Sequence, residues 1–226
     1  MTLTVKICGL STPEAVDVAI ETGADMVGFV FFPPSPRNVS FSTARALGAR
    51  VCGRAQKVAL TVDADDMLLD AIVKVLHPDM LQLHGREQPD RVAAIKKRFG
   101  LPVIKAVAIE ERADVGAAAV YAPLIDRLLF DARAPRAANR PGGLGKPFDW
   151  RLLQNLHPGV PFMLSGGLNA ANVAEALRIT SAPGVDVSSG VERSPGEKDI
   201  GKIRAFIRVA REAAKRLAAK PAASPA

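Results

Sequence analysis

Two side chains capable of proton transfer each stand at the end of an apolar run. Cys8 follows the segment Val-Lys-Ile at residues 5–7, and Asp131 closes the apolar stretch at residues 128–130. A thiol and a carboxyl that approach one small substrate from two sides are suited to general acid–base catalysis. Each residue also has an ordinary alternative role. A cysteine at a strand end is often a small buried hydrophobe, and Asp131 can cap the following turn or pair with Arg133.

Two glycine-rich turns near the C-terminal end of the chain indicate an anion site. The first is Ser-Gly-Gly-Leu-Asn at residues 165–169, and the second is Ser-Ser-Gly-Val-Glu at residues 188–192. Each follows a short apolar run, and Asn169 is a good N-cap for a helix that would begin directly after the first turn. Glycine lets the backbone approach a ligand, and amide N–H groups at a helix N-terminus favour negative charge. Any strand-to-helix turn favours glycine, but two such turns about one βα unit apart predict a phosphate site.

Further polar residues extend this set of candidates. Lys6 shares a strand face with Cys8, where its charge would favour the thiolate unless it forms an ion pair inside the protein. Arg37 lies in a proline-rich segment and can either grip a carboxylate through two parallel N–H donors or remain solvated. Asp186 shares a strand face with the first serine of the second turn, where it can orient a substrate or support the turn. For His84 we favour a structural role over a place in the wall of the site.

The elements that would position these residues alternate along the chain. Apolar strand signals occur at residues 4–8, 26–32, 57–62, 80–83, 103–107, 127–131, 162–164 and 185–187. Helical patterns occupy residues 13–22, 42–50, 64–76, 89–99, 113–121 and 171–180, with two more helices that begin near residues 148 and 198. Eight βα units with nearly continuous apolar strands predict an α/β fold, a single-domain (β/α)8 TIM barrel. A doubly wound open sheet is the alternative.

In such a barrel, the carboxyl ends of the strands carry the chemistry. Cys8 and Asp131 end the first and sixth predicted strands, and the glycine-rich turns follow the seventh and eighth, where a barrel's phosphate site usually lies. Two long loops leave the same face, residues 33–40 and residues 132–147. Because long loops on compact domains tend to be functional, both are candidate lids.

Composition limits the classes of protein that fit. With 226 residues, 48% of them hydrophobic, the chain can bury the core of one domain. We expect the barrel to cover residues 1–220 and residues 221–226 to form a flexible tail. The two cysteines and three histidines form no ligand cluster and no disulfide framework. The spacings of a P-loop and a calcium loop are also missing, so we expect no cofactor and no metal.

The net charge of +7 is concentrated near the C-terminus. Between residues 198 and 220, eight basic and two acidic residues supply +6 of that charge, while apolar residues recur at helical spacing. This pattern predicts an amphipathic helix with its basic residues mainly on the solvated face. With only 5% aromatic residues and no stacking motif, we expect no nucleic-acid binding. Without a leader or a membrane-length apolar segment, we expect a cytoplasmic protein that binds no membrane.

Six segments occur together in an order that is far more specific than any single motif. They are Val-Lys-Ile-Cys-Gly-Leu at 5–10, Val-Gly-Phe-Val-Phe at 27–31, Leu-Gln-Leu-His-Gly at 81–85, Gly-Gly-Leu-Gly-Lys-Pro-Phe-Asp-Trp at 142–150, Ser-Gly-Gly-Leu at 165–168 and Val-Asp-Val-Ser-Ser-Gly-Val-Glu at 185–192. This set resembles the phosphoribosylanthranilate isomerase family of tryptophan biosynthesis. Two positions depart from the family's usual pattern: Leu144 stands in place of Ser or Thr, and Ser165 in place of Ala.

The resemblance implies an Amadori rearrangement of N-(5′-phosphoribosyl)anthranilate to 1-(2-carboxyphenylamino)-1-deoxyribulose 5-phosphate without a cofactor. It implies that Asp131 is the general acid, that Cys8 is the general base and that Arg37 holds the anthranilate group. The phosphate would be held by the backbone of Gly166, Gly167, Ser189 and Gly190.

Two alternatives stay open. One is another sugar-phosphate isomerase barrel, such as the isomerase of histidine biosynthesis, although its related rearrangement uses two aspartates whereas Cys8 ends the first strand here. The other is a barrel that binds phosphorylated metabolites without catalysis. In each case the expected partner is a small phosphorylated molecule, and the expected assembly is a monomer or a homodimer.

Overall fold

Eight parallel strands close into a barrel in a computed structural model that describes residues 2–135, 141–143, 145 and 147–219. The strands are β1 (Thr4–Cys8), β2 (Met26–Phe31), β3 (Gln56–Thr61), β4 (Met80–Leu83), β5 (Val103–Ile109), β6 (Arg127–Ala132), β7 (Phe162–Leu164) and β8 (Gly184–Val187). Each strand pairs with the next, and β8 pairs in parallel with β1. The predicted TIM barrel is therefore confirmed, and the alternative of an open sheet is wrong.

Helices cover the outside of the barrel. They are α1 (Pro13–Glu21), α2 (Phe41–Val51), α3 (Asp66–Leu76), α4 (Pro89–Phe99), α5 (Arg112–Ala117), α6 (Val173–Thr180) and α7 (Ile200–Ala219). Polar side chains begin three of them, because Thr12, Ser40 and Asp65 each accept a hydrogen bond from the backbone N–H three residues later. A short antiparallel hairpin, β9 (Glu192–Ser194) and β10 (Glu197–Lys198), precedes α7.

Three predicted helices differ from the structure. The one at residues 113–121 is α5 followed by a 3-10 turn over Ala118–Leu124, which contains Pro123 and so cannot form the regular helical hydrogen bonds. The one near residue 148 is a single 3-10 turn over Trp150–Leu153. The helix after the first glycine-rich turn begins at Val173, not directly after Asn169. The side chain of Asn169 instead accepts from the N–H of Ala171 and closes a separate turn.

Two apolar layers fill the protein. The larger lies between the strands and the helices. A smaller one lies inside the barrel and consists of Met26, Val58, Met80, Ile104, Ala106, Leu129 and Met163. Side chains alternate across each strand, so Gln82 follows Met80 on the inner face, and Lys6 and Asp186 occupy that face on β1 and β8. These three polar side chains are buried, which makes the barrel a packed core and places its chemistry at the carboxyl ends of the strands.

The C-terminal helix α7 confirms the predicted amphipathic pattern, since Ile203, Phe206, Ile207, Ala210 and Ala213 are buried. Two of the basic residues expected on its solvated side have other positions. Arg211 reaches back to the start of the barrel, where it donates to the carbonyl oxygen of Gly23 at 2.7 Å. Lys198 lies before the helix, and its side chain is 2% exposed. None of the helices in the described part of the chain has the length and apolar character that crossing a membrane requires. The predicted tail, residues 221–226, lies outside the described residues.

Candidate active site

Cys8 ends β1 and lines a cavity at the carboxyl ends of the strands. The residue is 3% exposed and packs with Val30 and Leu60, and the side chains of Phe32 and Val62 complete an apolar wall. Burial raises the pKa of the thiol, and the neighbouring ammonium group of Lys6 opposes that rise without cancelling it. Lys6 therefore favours the thiolate, as predicted, but burial has the larger effect.

Lys6 also forms the ion pair that was its alternative role. The parallel pairing of β1 with β8 sets it opposite Asp186, and Lys6 Nζ lies 2.9 Å from Asp186 Oδ1. Burial acts against the charge on Lys6, but Asp186 and Cys8 outweigh it and raise the pKa of the ammonium group. Ser165, at a position where Ala is common in the family it resembles, donates to the other carboxylate oxygen of Asp186 at 3.5 Å. The inner face of the barrel thus holds a charged pair directly beside the thiol.

Asp131 lines the same cavity and forms part of a short polar chain. Its Oδ1 accepts from the N–H of Ala132 at 2.9 Å, and its Oδ2 lies 3.2 Å from His84 Nε2. On the other side of the ring, His84 Nδ1 lies 3.1 Å from Gln82 Nε2. The imidazole of His84 thus lies between the amide of Gln82 and the carboxyl of Asp131.

The structure excludes one alternative role in this region and places His84 beside the cavity. Asp131 does not pair with Arg133, because Arg133 turns outwards to Asp114 and, at 3.0 Å, to Glu110. His84 is not only structural, since it lines the cavity and contacts Asp131. Strand alternation offered a signal for it, because Gln82 and His84 share the inner face of β4 and lead to the mouth of the barrel.

Arg37 is buried at the mouth of the barrel, not solvated. Its loop is tied back to β2, because Asn38 Oδ1 accepts from the N–H of Phe32 at 2.8 Å. The guanidinium donates from Nε to Glu192 Oε1 at 2.7 Å and from Nη2 to Glu192 Oε2 at 2.8 Å. Nη2 also donates to the carbonyl oxygen of Gly143 at 3.2 Å. The predicted two-donor grip is therefore present, but on a carboxylate of the protein itself.

Sequence reasoning missed Glu192 and Lys198 as parts of the site. Lys198 Nζ lies 2.7 Å from Glu192 Oε1, and both side chains are almost completely buried. Burial favours the neutral form of Glu192, but Arg37 and Lys198 outweigh it and hold the pKa of the carboxyl below its usual value. Burial lowers the pKa of Lys198 despite the attraction of Glu192. Only the antiparallel register of β9 and β10, which sets Lys198 opposite Glu192, could have indicated this pair.

The two glycine-rich turns meet above β7 and β8. Gly166 and Gly167 have φ values of 82° and 66°, in the region that favours glycine. A Cβ atom at Gly190 would collide with the carbonyl oxygen of Leu168, so only glycine allows the second turn to approach the first so closely. The N–H groups of Gly167, Ser189 and Gly190 donate to no acceptor among the described residues. Such backbone donors are available to an anion.

One cavity brings the predicted residues together. It is lined by Cys8, Arg37, Asp131, Gly166, Gly167, Asp186 and Ser189, and Gly190 lies immediately behind Leu168. Of the two predicted lids, the loop at residues 33–40 carries Arg37. In the loop at residues 132–147, the described parts at residues 133–135, 141–143 and 145 line the cavity. Residues 136–140, 144 and 146 of that loop lie outside the described part.

Comparison with known proteins gives the family of the chain. Residues 5–209 match the family model described as N-(5'phosphoribosyl)anthranilate (PRA) isomerase. N-(5'-phosphoribosyl)anthranilate isomerase from Nitrobacter hamburgensis is 63% identical over 94% of this chain and 95% of its own length. The relative from Bradyrhizobium sp. strain ORS 278 is also 63% identical, over 94% and 97% of the two chains.

Solved structures give the same result. The crystal structure of phosphoribosyl anthranilate isomerase from Thermotoga maritima is similar with a TM-score of 0.84 and 35% identity, covering 93% of this chain and all of that one. A structure of the isomerase in complex with reduced 1-(o-carboxyphenylamino)-1-deoxyribulose 5-phosphate has a TM-score of 0.81 and 32% identity, again covering 93% and 100% of the two chains.

Proposed function

The chain belongs to the N-(5′-phosphoribosyl)anthranilate isomerase family and acts as that isomerase in tryptophan biosynthesis, and from its cavity we propose which residues carry the reaction. The observation that supports this assignment is the placement of a thiol and a carboxyl in one cavity together with the two glycine-rich turns and a buried arginine. The substrate has a phosphate at one end and a carboxylated aromatic ring at the other. The chemistry takes place on the ribose between them, so the catalytic groups belong in the middle of the cavity.

The lining of the cavity offers partners for both ends of the substrate. Backbone N–H groups of the turns at residues 165–169 and 188–192 are donors for the phosphate. Val30, Phe32, Leu60 and Val62 also line the cavity and offer an apolar surface to the aromatic ring. Arg37 lines the same cavity and provides a positive charge for the ring's carboxylate.

Asp131 serves as the general acid for opening the ribofuranose ring. In its protonated form, Asp131 gives a proton to the ring oxygen as the bond from that oxygen to C1′ breaks. The lone pair of the substrate nitrogen forms the C1′–N double bond of an iminium ion. The contact of 3.2 Å between Asp131 Oδ2 and His84 Nε2 holds the carboxyl in place for this step.

Cys8 serves as the general base for the second step. Its thiolate removes the proton from C2′, and the electron pair of that C–H bond moves to form the C1′–C2′ double bond while the iminium nitrogen becomes neutral. The resulting enolamine then ketonises at C2′ and gains a proton at C1′. The substrate's own nitrogen accepts the electrons, so we propose that the reaction requires no cofactor. Asp186 and Lys6, next to the thiol, keep the charge of this region balanced.

The first test follows the fluorescence of phosphoribosylanthranilate generated in situ, which is lost on conversion. The substitutions Cys8→Ala and Asp131→Asn should each lower kcat about 10²- to 10⁴-fold, the range that general acid–base groups supply. Cys52→Ala is the matched control for the thiol and Asp149→Asn for the carboxyl, since both residues lie at the surface. Near-wild-type turnover in either active-site variant would remove that residue from the mechanism.

The assembly and the location of the protein stay predictions. A structure of monomers generated from the dimeric phosphoribosylanthranilate isomerase of Thermotoga maritima has a TM-score of 0.81 to this chain. By analogy with that relative, we propose a homodimer as one of the two expected assemblies, with a monomer as the other. Sedimentation velocity of the purified protein distinguishes them.

A further inference from the structure

Three buried charges form a cluster at the edge of the active site, made of Arg37, Glu192 and Lys198. Glu192 is shared between the two cations. Its Oε1 lies 2.7 Å from Arg37 Nε and 2.7 Å from Lys198 Nζ, while its Oε2 accepts from Arg37 Nη2 at 2.8 Å. All three side chains are at most 5% exposed. Burying three charges costs free energy unless each is well paired. The presence of this charge cluster beside the active site therefore indicates a functional role.

The charge cluster extends to the base and to the phosphate turn. Besides Glu192, Lys198 Nζ donates to the carbonyl oxygen of Ser188 at 2.9 Å and contacts Ser188 Oγ at 3.2 Å. Ser188 Oγ donates in turn to the carbonyl oxygen of Cys8 at 3.0 Å. A continuous set of hydrogen bonds thus joins Arg37 to the ends of β1 and β8, where Cys8 and the second glycine-rich turn lie.

Glu192 itself is held from several sides. The β9–β10 hairpin sets Lys198 opposite it, and the N–H of Gly196 in the hairpin turn lies 3.3 Å from Glu192 Oε2. The carbonyl oxygen of Glu192 accepts from Lys202 Nζ at 2.7 Å. Arg37 therefore meets a carboxylate whose position is fixed, and two of its three nitrogens have fixed partners. The third nitrogen, Nη1, makes no hydrogen bond to the residues that the structure describes.

We propose that Glu192 and Lys198 are positioning residues that make the enzyme selective for a carboxylated aromatic amine. Glu192 fixes Nε and Nη2 of Arg37 so that Nη1 is the donor left for the substrate's carboxylate. Lys198 offsets the charge of Glu192, which leaves the charge cluster with a net charge of +1 that one carboxylate neutralises. This inference rests on the proposed function, because it concerns the part of the substrate that Arg37 meets.

Two substrates separate this role from a purely structural one. The first is N-(5′-phosphoribosyl)anthranilate, and the second is N-(5′-phosphoribosyl)aniline, which lacks only the carboxylate. In Glu192→Gln, an amide N–H group faces the guanidinium in place of a carboxylate oxygen. Because both groups are donors, one hydrogen bond is lost and Arg37 loses its fixed orientation. We expect kcat/KM for the anthranilate substrate to fall about 10- to 100-fold, mainly through KM, since a hydrogen bond to a charged group contributes in that range. For the aniline substrate we expect a change of less than about threefold.

Glu197→Gln is the matched control. Glu197 lies on the same hairpin and also pairs with an arginine, Arg193, but at the surface. This variant should leave both substrates unchanged. Should Glu192→Gln not fold, Lys198→Met tests the same point, because it removes the net positive charge and should again reduce selectivity for the carboxylate.

Equal losses for the two substrates, or no loss for either, would overturn the inference. A wild-type protein that converts neither substrate would contradict the proposed function instead, so the two failures are distinguishable.

Discussion

Two buried lysine–carboxylate pairs near the carboxyl ends of the strands have the same chemistry and different surroundings. Lys6 pairs with Asp186 at 2.9 Å, and Lys105 on β5 pairs with Glu87 in the loop after β4 at 2.7 Å. The lysines are 0% and 2% exposed, and the carboxylates 4% and 5%. Burial and distance therefore do not distinguish the two pairs. Their remaining hydrogen bonds do.

The Lys105–Glu87 pair is completed by the backbone. Lys105 Nζ also donates to the carbonyl oxygen of Gly85 at 2.8 Å and lies 3.5 Å from that of Leu83. The other oxygen of Glu87 accepts from the N–H groups of Asp63 and Gly85 at 3.0 and 3.1 Å. The pair thus joins the loops after β3 and β4 through the backbone of Asp63, which is exposed, and of Gly85, which is half-buried.

The Lys6–Asp186 pair has few partners beyond itself. Within the described residues, Asp186 accepts one further hydrogen bond, from Ser165 at 3.5 Å, and the neighbour of Lys6 is the thiol of Cys8. Asp186 also lines the cavity. A pair with spare hydrogen-bonding capacity beside the reacting groups is available to a substrate, whereas a completed pair stabilises the fold. The two pairs thus differ in how many of their hydrogen bonds the protein completes, and this difference, rather than burial, separates a structural role from a role in the reaction.

Removing the completed pair should have the largest effect on stability. The double substitution Lys105→Met/Glu87→Leu leaves no unpaired charge but orphans the backbone groups of Gly85 and Asp63. Three hydrogen bonds are lost, and at about 0.5–1.5 kcal/mol for each, the free energy of unfolding should fall by about 2–4 kcal/mol. Urea denaturation followed by circular dichroism measures this loss. A free energy of unfolding within about 1 kcal/mol of wild type would contradict the structural role of the pair.

Removing the other pair should affect the reaction instead. In Lys6→Met/Asp186→Leu, an apolar pair of similar size replaces a buried ion pair that has few other hydrogen bonds. Such replacements are often neutral or stabilising, so the free energy of unfolding should stay within about 1 kcal/mol of wild type or rise. We expect kcat/KM to fall about 100-fold, because the groups next to Cys8 are lost. Equal losses in the free energy of unfolding for the two double variants would show that the two pairs do not differ in their contribution to stability.

The sequence predicted the barrel and its polar strand ends well. The bounds of β1, β4 and β7 agree with the predicted strands, because each is a short apolar run between clear breaks. Once the order of the strands is known, Cys8 and Asp131 must lie at the same mouth of the barrel, since all parallel strands end on the same side. The family resemblance supplied the roles that we propose for them.

What the sequence could not predict depends on contacts between distant segments. Lys198 belongs to a run of basic residues, and a charge pattern does not indicate which of those side chains is buried. Its burial requires Glu192, and Glu192 requires the guanidinium of Arg37, which is 155 residues away in the chain. The start of α6 was also missed, because Asn169 and Asn172 are both good caps and only their mutual hydrogen bond decides between them.

The smallest predicted effect concerns the proton on Cys8, which connects the Lys6–Asp186 pair to catalysis. Burial raises the pKa of the thiol, while Lys6 lowers it and Asp186 raises it to a smaller extent. The thiolate absorbance near 240 nm, taken as wild type minus Cys8→Ala, should therefore titrate above the value of about 8.5 for a free thiol. In Lys6→Met/Asp186→Leu the midpoint should move higher still, because both charges are removed and the lowering effect of Lys6 is the larger of the two. A midpoint at or below the ordinary value would show that the ammonium group, not burial, controls the thiol.

The raised pKa of Cys8 should also make the free energy of unfolding depend on pH. Since the folded-state pKa of Cys8 lies above the unfolded one, the folded protein keeps a proton that the unfolded chain releases as the pH rises through the ordinary thiol range. The contribution of Cys8 to stability is therefore complete below about pH 8.5 and is lost progressively above it. Cys8→Ala should lack this loss, so the difference in the free energy of unfolding between wild type and variant should shrink with rising pH. A difference that does not change with pH would mean that the thiol has the same pKa in the folded and unfolded states, and that the charged pair beside it fully offsets its burial.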